Sequence, residues 1–169
     1  MDAPMAVKIT DEHRWFDQLI GEWRFEIDCP GPDGAPSARH TGRESVRRLG
    51  DAWVLLESHG RMPGSEGGGD MLSQMMLGYD PDKGHYVGTF ITSMMTWLWQ
   101  YHGGRLDATR LQLTLEAEGP SFDGGAGKLA NYRDVIEIVS PDERLLHCNV
   151  QGADGTWTRF MTSRYLRVR

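Results

Sequence analysis

Apolar and polar residues alternate along most of the chain. Trp23, Phe25, Ile27 and Cys29 alternate with Glu22, Arg24, Glu26 and Asp28, the period of two of a half-buried strand. Leu111, Leu113 and Leu115 alternate with Gln112, Thr114 and Glu116 in the same way. Further extended segments are expected at about 40–49, 52–59, 71–79, 85–93, 94–101, 130–139, 144–151 and 156–168. Turns separate them at Gly50-Asp51, 80–84, 106–110 and 140–143, and Ala153-Asp154-Gly155 carries an Asp-Gly hairpin signal. Loops are expected at 31–37, 63–69 and 119–127, the last two rich in glycine. The strand over 40–49 is polar on both faces, so its inward side is not readable. One segment has a different period. Trp15, Phe16, Leu19 and Ile20 form a helical stripe, which predicts a helix over 10–20. Thr10 or Asp11 would be its N-cap, Glu12 and Asp17 suit its dipole, and Gly21 would stop it.

About ten short strands joined by hairpin-length turns form a sheet too long to stay flat and open. Twist and edge exposure favour closure. The expected fold is all-β: a closed antiparallel up-and-down barrel of about ten strands with one short N-terminal helix, in a single domain over 1–169. Such a barrel has room for one small ligand.

Composition agrees with this picture. The chain of 169 residues has 21 glycines and six tryptophans, and charged residues make up 25%. It is well supplied with aromatics, unlike a disordered chain. The net charge is −6, and the basic residues form no stripe that would track a phosphate backbone, so no nucleic-acid partner is expected. No apolar run approaches the length of a membrane span. Residues 1–10 are too polar for a signal peptide, so the expected location is cytoplasmic. Cys29 and Cys148 form no CxxC or zinc spacing and are expected to be free thiols, with no metal.

Gly21-Glu22-Trp23, after a helix and at the start of the first strand, resembles the Gly-x-Trp signature of the calycin superfamily. That resemblance implies a Trp on the barrel floor, crossed by an Arg from the last strand. Arg167 is the natural partner of Trp23, with Arg164 and Arg169 as alternatives. A wider set of segments is similar to the DUF1579 family over roughly 10–168. These are 49–57, Leu77-Gly78-Tyr79-Asp80-Pro81, Tyr86-Val87-Gly88-Thr89-Phe90, Leu113-Thr114-Leu115-Glu116 and Tyr132-Arg133-Asp134. The resemblance implies a lipocalin-like barrel and leaves its chemistry open.

Motifs for nucleotide or hydrolase chemistry are missing. Gly125-Ala126-Gly127-Lys128 imitates a P-loop, but Phe122 and Leu129 occupy positions that need Gly and Ser/Thr. The six histidines have no metal-ligand spacing. Nitrobindins, which resemble this topology, bind haem through a histidine near the chain's end. The last strand here has none and His147 would have to substitute, so no cofactor is expected. Glu57, His59, Tyr132, Asp134 and His147 are polar residues on strands that otherwise look inward, and such groups mark either a hydrogen-bonded network or a polar pocket. The run from Met94 to His102 reads as a strand apolar on both faces, whose outer face needs cover from the helix or from a second subunit.

The leading expectation is a barrel that binds a small, largely apolar ligand. Trp53, Phe90, Trp99, Tyr101 and Tyr132 would supply apolar wall and Glu57, His59 and His147 polar anchors. One alternative is an enzyme with a carboxylate–histidine acid/base pair in the same cavity. Another is a structural homodimer with a filled barrel.

Overall fold

In a computed structural model, which describes residues 7–29, 38–61, 69–122 and 127–169, ten antiparallel strands close into a barrel. They are β1 (Gly21–Cys29), β2 (Ala38–Leu49), β3 (Trp53–Arg61), β4 (Asp70–Asp80), β5 (His85–Thr92), β6 (Trp99–Leu106), β7 (Gln112–Pro120), β8 (Leu129–Ser140), β9 (Glu143–Gln151) and β10 (Trp157–Arg167). Each strand pairs with its neighbours in sequence, and β1 closes the sheet on β10 with Trp23 opposite Arg167 and Asp28 opposite Thr162. Closure leaves no unpaired sheet edge. The loop expected at 31–37, nearly all of that at 63–69, and the core of that at 119–127 lie outside the described residues, as do part of the P-loop-like segment and the Cys29 side chain.

The N-terminal helix is shorter and tighter than its apolar stripe suggests. One α-turn, α1 (Asp11–Arg14), runs into a 3-10 turn at Trp15–Leu19. The Thr10 backbone N–H donates to His13 Nδ1 at 3.0 Å, satisfying one of the donors that a helix start leaves open. Trp15, Phe16 and Leu19 are buried and plug one end of the barrel. Several polar links hold them there. Trp15 Nε1 donates to the Arg110 carbonyl at 2.8 Å, Tyr86 Oη to the Glu12 carbonyl at 3.1 Å and Arg48 Nη2 to the His13 carbonyl at 2.9 Å.

Trp23 is buried directly above this plug, and its Nε1 donates to the Leu19 carbonyl at 2.9 Å. The Arg167 guanidinium lies 4.2 Å from its ring centroid and donates to the carbonyls of Ile20 (2.6 Å) and Gln18 (2.8 Å). One arginine thus covers the indole face and caps the last helical carbonyls. The approach requires glycine at position 21: its φ is +129°, and a Cβ there would sit 2.6 Å from Arg167 Nη1.

Two expectations along the chain are corrected. The strand placed at 94–101 begins only at Trp99, since β5 ends at Thr92 and residues 93–98 cross irregularly between the strands. Met94, Met95 and Leu98 are exposed, so there is no two-faced apolar strand there to be covered by the helix or a second subunit. An apolar run alone does not distinguish strand from connection. Leu111 is the second correction. It lies outside β7 and is half-exposed, just after Arg110, whose φ of +58° completes the preceding turn.

Candidate functional site

Side chains on the inner face fill the end of the barrel nearest the helix. Val54, Leu77, Tyr86, Leu113, Leu115 and Ile136 are essentially inaccessible. Toward the opposite end this packing stops, leaving an apolar-walled cavity of about 280 Å³, at the small end of the range for ligand sites. The β5–β6 connection borders its mouth with Met94 and Met95. The two glycine-rich segments join strand ends on this side, β3 to β4 and β7 to β8.

Phe90, Trp99, Tyr101 and Tyr132 line the cavity. Trp99 and Tyr132 meet edge to face at 4.8 Å, and Tyr132 continues the contact to Phe122 (5.7 Å) and Phe160 (6.1 Å). Four aromatic rings therefore form one wall near the mouth.

Trp53, Glu57, His59 and His147 face away from it, a correction of the site expected from sequence. On β3 the even positions point inward: Leu56 and Ser58 line the cavity, so Trp53, Glu57 and His59 face out. Trp53 lies over its cross-strand partner Gly78, where a Cβ would be 2.5 Å from the ring. Glu57 pairs with Arg47 at 3.3 Å, and His59 with Asp70 at 3.2 Å. His147 is buried, but on the outer face of β9, between Glu137 (2.9 Å) and Thr162 (3.2 Å). His147 does meet a carboxylate, but it is that of Glu137 rather than of Glu57 or Asp134, and the pair lies on the outer face rather than in the cavity. No histidine lines the cavity among the described residues. Sequence reading failed here because strand parity is a binary choice, and a slip of one residue reverses every side chain.

The polar groups that do face inward are different ones. Glu44 and Arg144 form a buried ion pair, with Arg144 Nη2 donating to Glu44 Oε1 and Ser58 Oγ donating to Glu44 Oε2 at 3.2 Å. The Arg144 guanidinium lies 3.9 Å from the Tyr165 ring and 4.8 Å from Trp23, the second arginine over that indole after Arg167. Its Nε has no hydrogen-bond partner, and these two π-faces partly compensate it. Neither residue signals this role in the sequence. Glu44 sits on the strand with no apolar face, and Arg144 is 100 positions away beside a turn. The only hint is that Glu44 shares its parity with Val46.

Asp134 is the third charged side chain on the wall. Tyr101 Oη donates to its Oδ2 at 2.5 Å, and the Cys148 thiol also hydrogen-bonds to it. Burial raises the Asp134 carboxyl from its ordinary value, while both hydrogen bonds act to lower it. Burial first, then the adjoining carboxylate, pushes the Tyr101 phenol well up, so Tyr101 remains a donor at neutral pH. No group of three or more metal-ligating side chains occurs among the described residues, and no helix there is long and apolar enough to cross a membrane.

Two solved structures show the same fold. Rv2717c from M. tuberculosis superposes with a TM-score of 0.61 at 11% identity, covering 96% of this chain and 100% of that one. The S-type phycobiliprotein lyase CPES from Guillardia theta superposes at 0.60 with 12% identity, covering 92% of each. No curated protein matches the sequence. The family model described as "Protein of unknown function (DUF1579)" matches residues 8–167, nearly the whole chain, and the protein therefore belongs to the DUF1579 family.

Proposed function

We propose that the protein binds a small, largely apolar ligand inside the barrel. The observation that carries this reading is the cavity itself. The barrel could be filled by its own side chains, as it is beside the helix, yet the outer half keeps about 280 Å³ open behind a mouth of methionine and aromatic residues. Methionine is flexible and polarisable, which suits a wall that adapts to its guest. Burying the apolar surface of a guest there contributes roughly 25 cal/mol per Å². The carboxylate–histidine enzyme loses support, because no histidine lines the cavity among the described residues.

Native mass spectrometry of the purified protein, before and after incubation with phenethyl alcohol, tests this reading. The expected result is a 1:1 adduct that is lost when Ala117→Phe fills the cavity while near-UV circular dichroism stays native. Unchanged binding in the filled variant, or no binding by the unaltered protein of this alcohol or of its amine and acid analogues, overturns it.

A further inference from the structure

The charge inventory of the cavity narrows the class of ligand. Among the described residues the only Asp, Glu, Lys or Arg side chains on its wall are Glu44, Arg144 and Asp134. Arg144 is the one cation, and it is already engaged: it is paired with Glu44 and has aromatic faces against it. An anionic guest would have to compete with a buried carboxylate for it. Asp134 is in the opposite position. It has no ion-pair partner among the described residues, and both groups bonded to it are neutral donors. Its side chain is shielded from bulk water, yet it borders the cavity and remains half-buried rather than sealed. A carboxylate has about four acceptor sites, of which Tyr101 and Cys148 use two. Between Asp134 and the mouth stands the aromatic wall of Trp99, Phe122, Tyr132 and Phe160, whose ring faces are electron-rich. Burying an unpaired carboxylate is costly, and a cationic guest would relieve that cost.

We propose that the cavity selects organic cations: apolar amines whose ammonium group donates to Asp134, beside Tyr101, and whose carbon skeleton lies against the aromatic wall. The proposal rests on the cavity being a ligand site. A matched set of guests separates the two ideas: phenethylamine, phenethyl alcohol and hydrocinnamic acid, titrated calorimetrically at neutral pH. The expected result is that the amine binds at least about tenfold more tightly than the alcohol or the acid, as a charge-assisted hydrogen bond in a shielded site should provide. In Asp134→Asn, checked for native near-UV circular dichroism, that preference should disappear. If the three guests bind alike, or the acid binds best, the cation proposal fails while the ligand site stands. A preference that survives Asp134→Asn also defeats it. If none of the three binds, the ligand-site reading falls and takes the proposal with it.

Discussion

The two ends of the barrel are built on opposite principles. At the helix end, aromatic faces are covered and most polar groups are bonded: the guanidinium groups of Arg144 and Arg167 both lie over Trp23, its N–H is bonded, and Arg167 closes the helix's last carbonyls. At the mouth, Met94, Met95 and Phe122 are left exposed, and the space they border is unfilled. Interiors normally pack to crystal-like density. A barrel that packs one half and leaves the other open keeps its stabilising contacts and its open space at different ends. Substitutions at the two ends should therefore have different consequences.

The largest expected effect is at the floor. Trp23→Ala should lower stability by about 3–5 kcal/mol in urea denaturation; a loss under about 1 kcal/mol would mean that the floor does not hold the fold. Next is the buried pair. Glu44→Leu and Arg144→Met should each cost about 3–5 kcal/mol by stranding the other charge, whereas the double variant should be less destabilised than either single one. If the costs simply add, the two side chains are not coupled.

A smaller change of opposite sign is expected at Asp134. Its carboxyl titrates above its unfolded value because burial disfavours the charge. The resulting cost is absent below the unfolded pKa and grows as pH rises through the folded one. Asp134→Asn should therefore be the more stable protein at neutral pH, and its advantage should vanish on acidification. Melting temperatures measured across that range would show it; an advantage independent of pH would remove the charge from the explanation. The smallest effects belong to the mouth. Met95→Ala and Phe122→Ala should shift stability by no more than about 0.5 kcal/mol while weakening binding of the small guest. A large stability loss there would erase the contrast between the ends.

The legible parts of this molecule are those written in local period. Alternation at Trp23–Phe25–Ile27 and at Leu113–Leu115 marked strands whose inward faces are buried. Glycine and Asp-Gly turns marked nearly all the connections, and the helical stripe marked the plug. The site was legible only in part. Phe90, Trp99, Tyr101 and Tyr132 sit on the cavity wall, but Trp53, Glu57 and His59 lie on the outer side of β3. That strand carries apolar residues at both parities, Val54 and Leu56 inside and Leu55 outside, so its pattern does not identify the inner face. Glu44 and Arg144 resemble any other surface charges until closure brings β2 and β9 to face each other across the interior.

Local patterning along the chain sets the number of strands, their antiparallel order and the need to close, because these follow from near-neighbour alternation and from the cost of an exposed edge. Which parity of each strand faces inward, and which charges meet there, is set only when the barrel closes. Those outcomes depend on contacts between residues as much as 100 positions apart. The free energy of a buried charge depends on what closure places beside it, and no local window of the chain contains that partner.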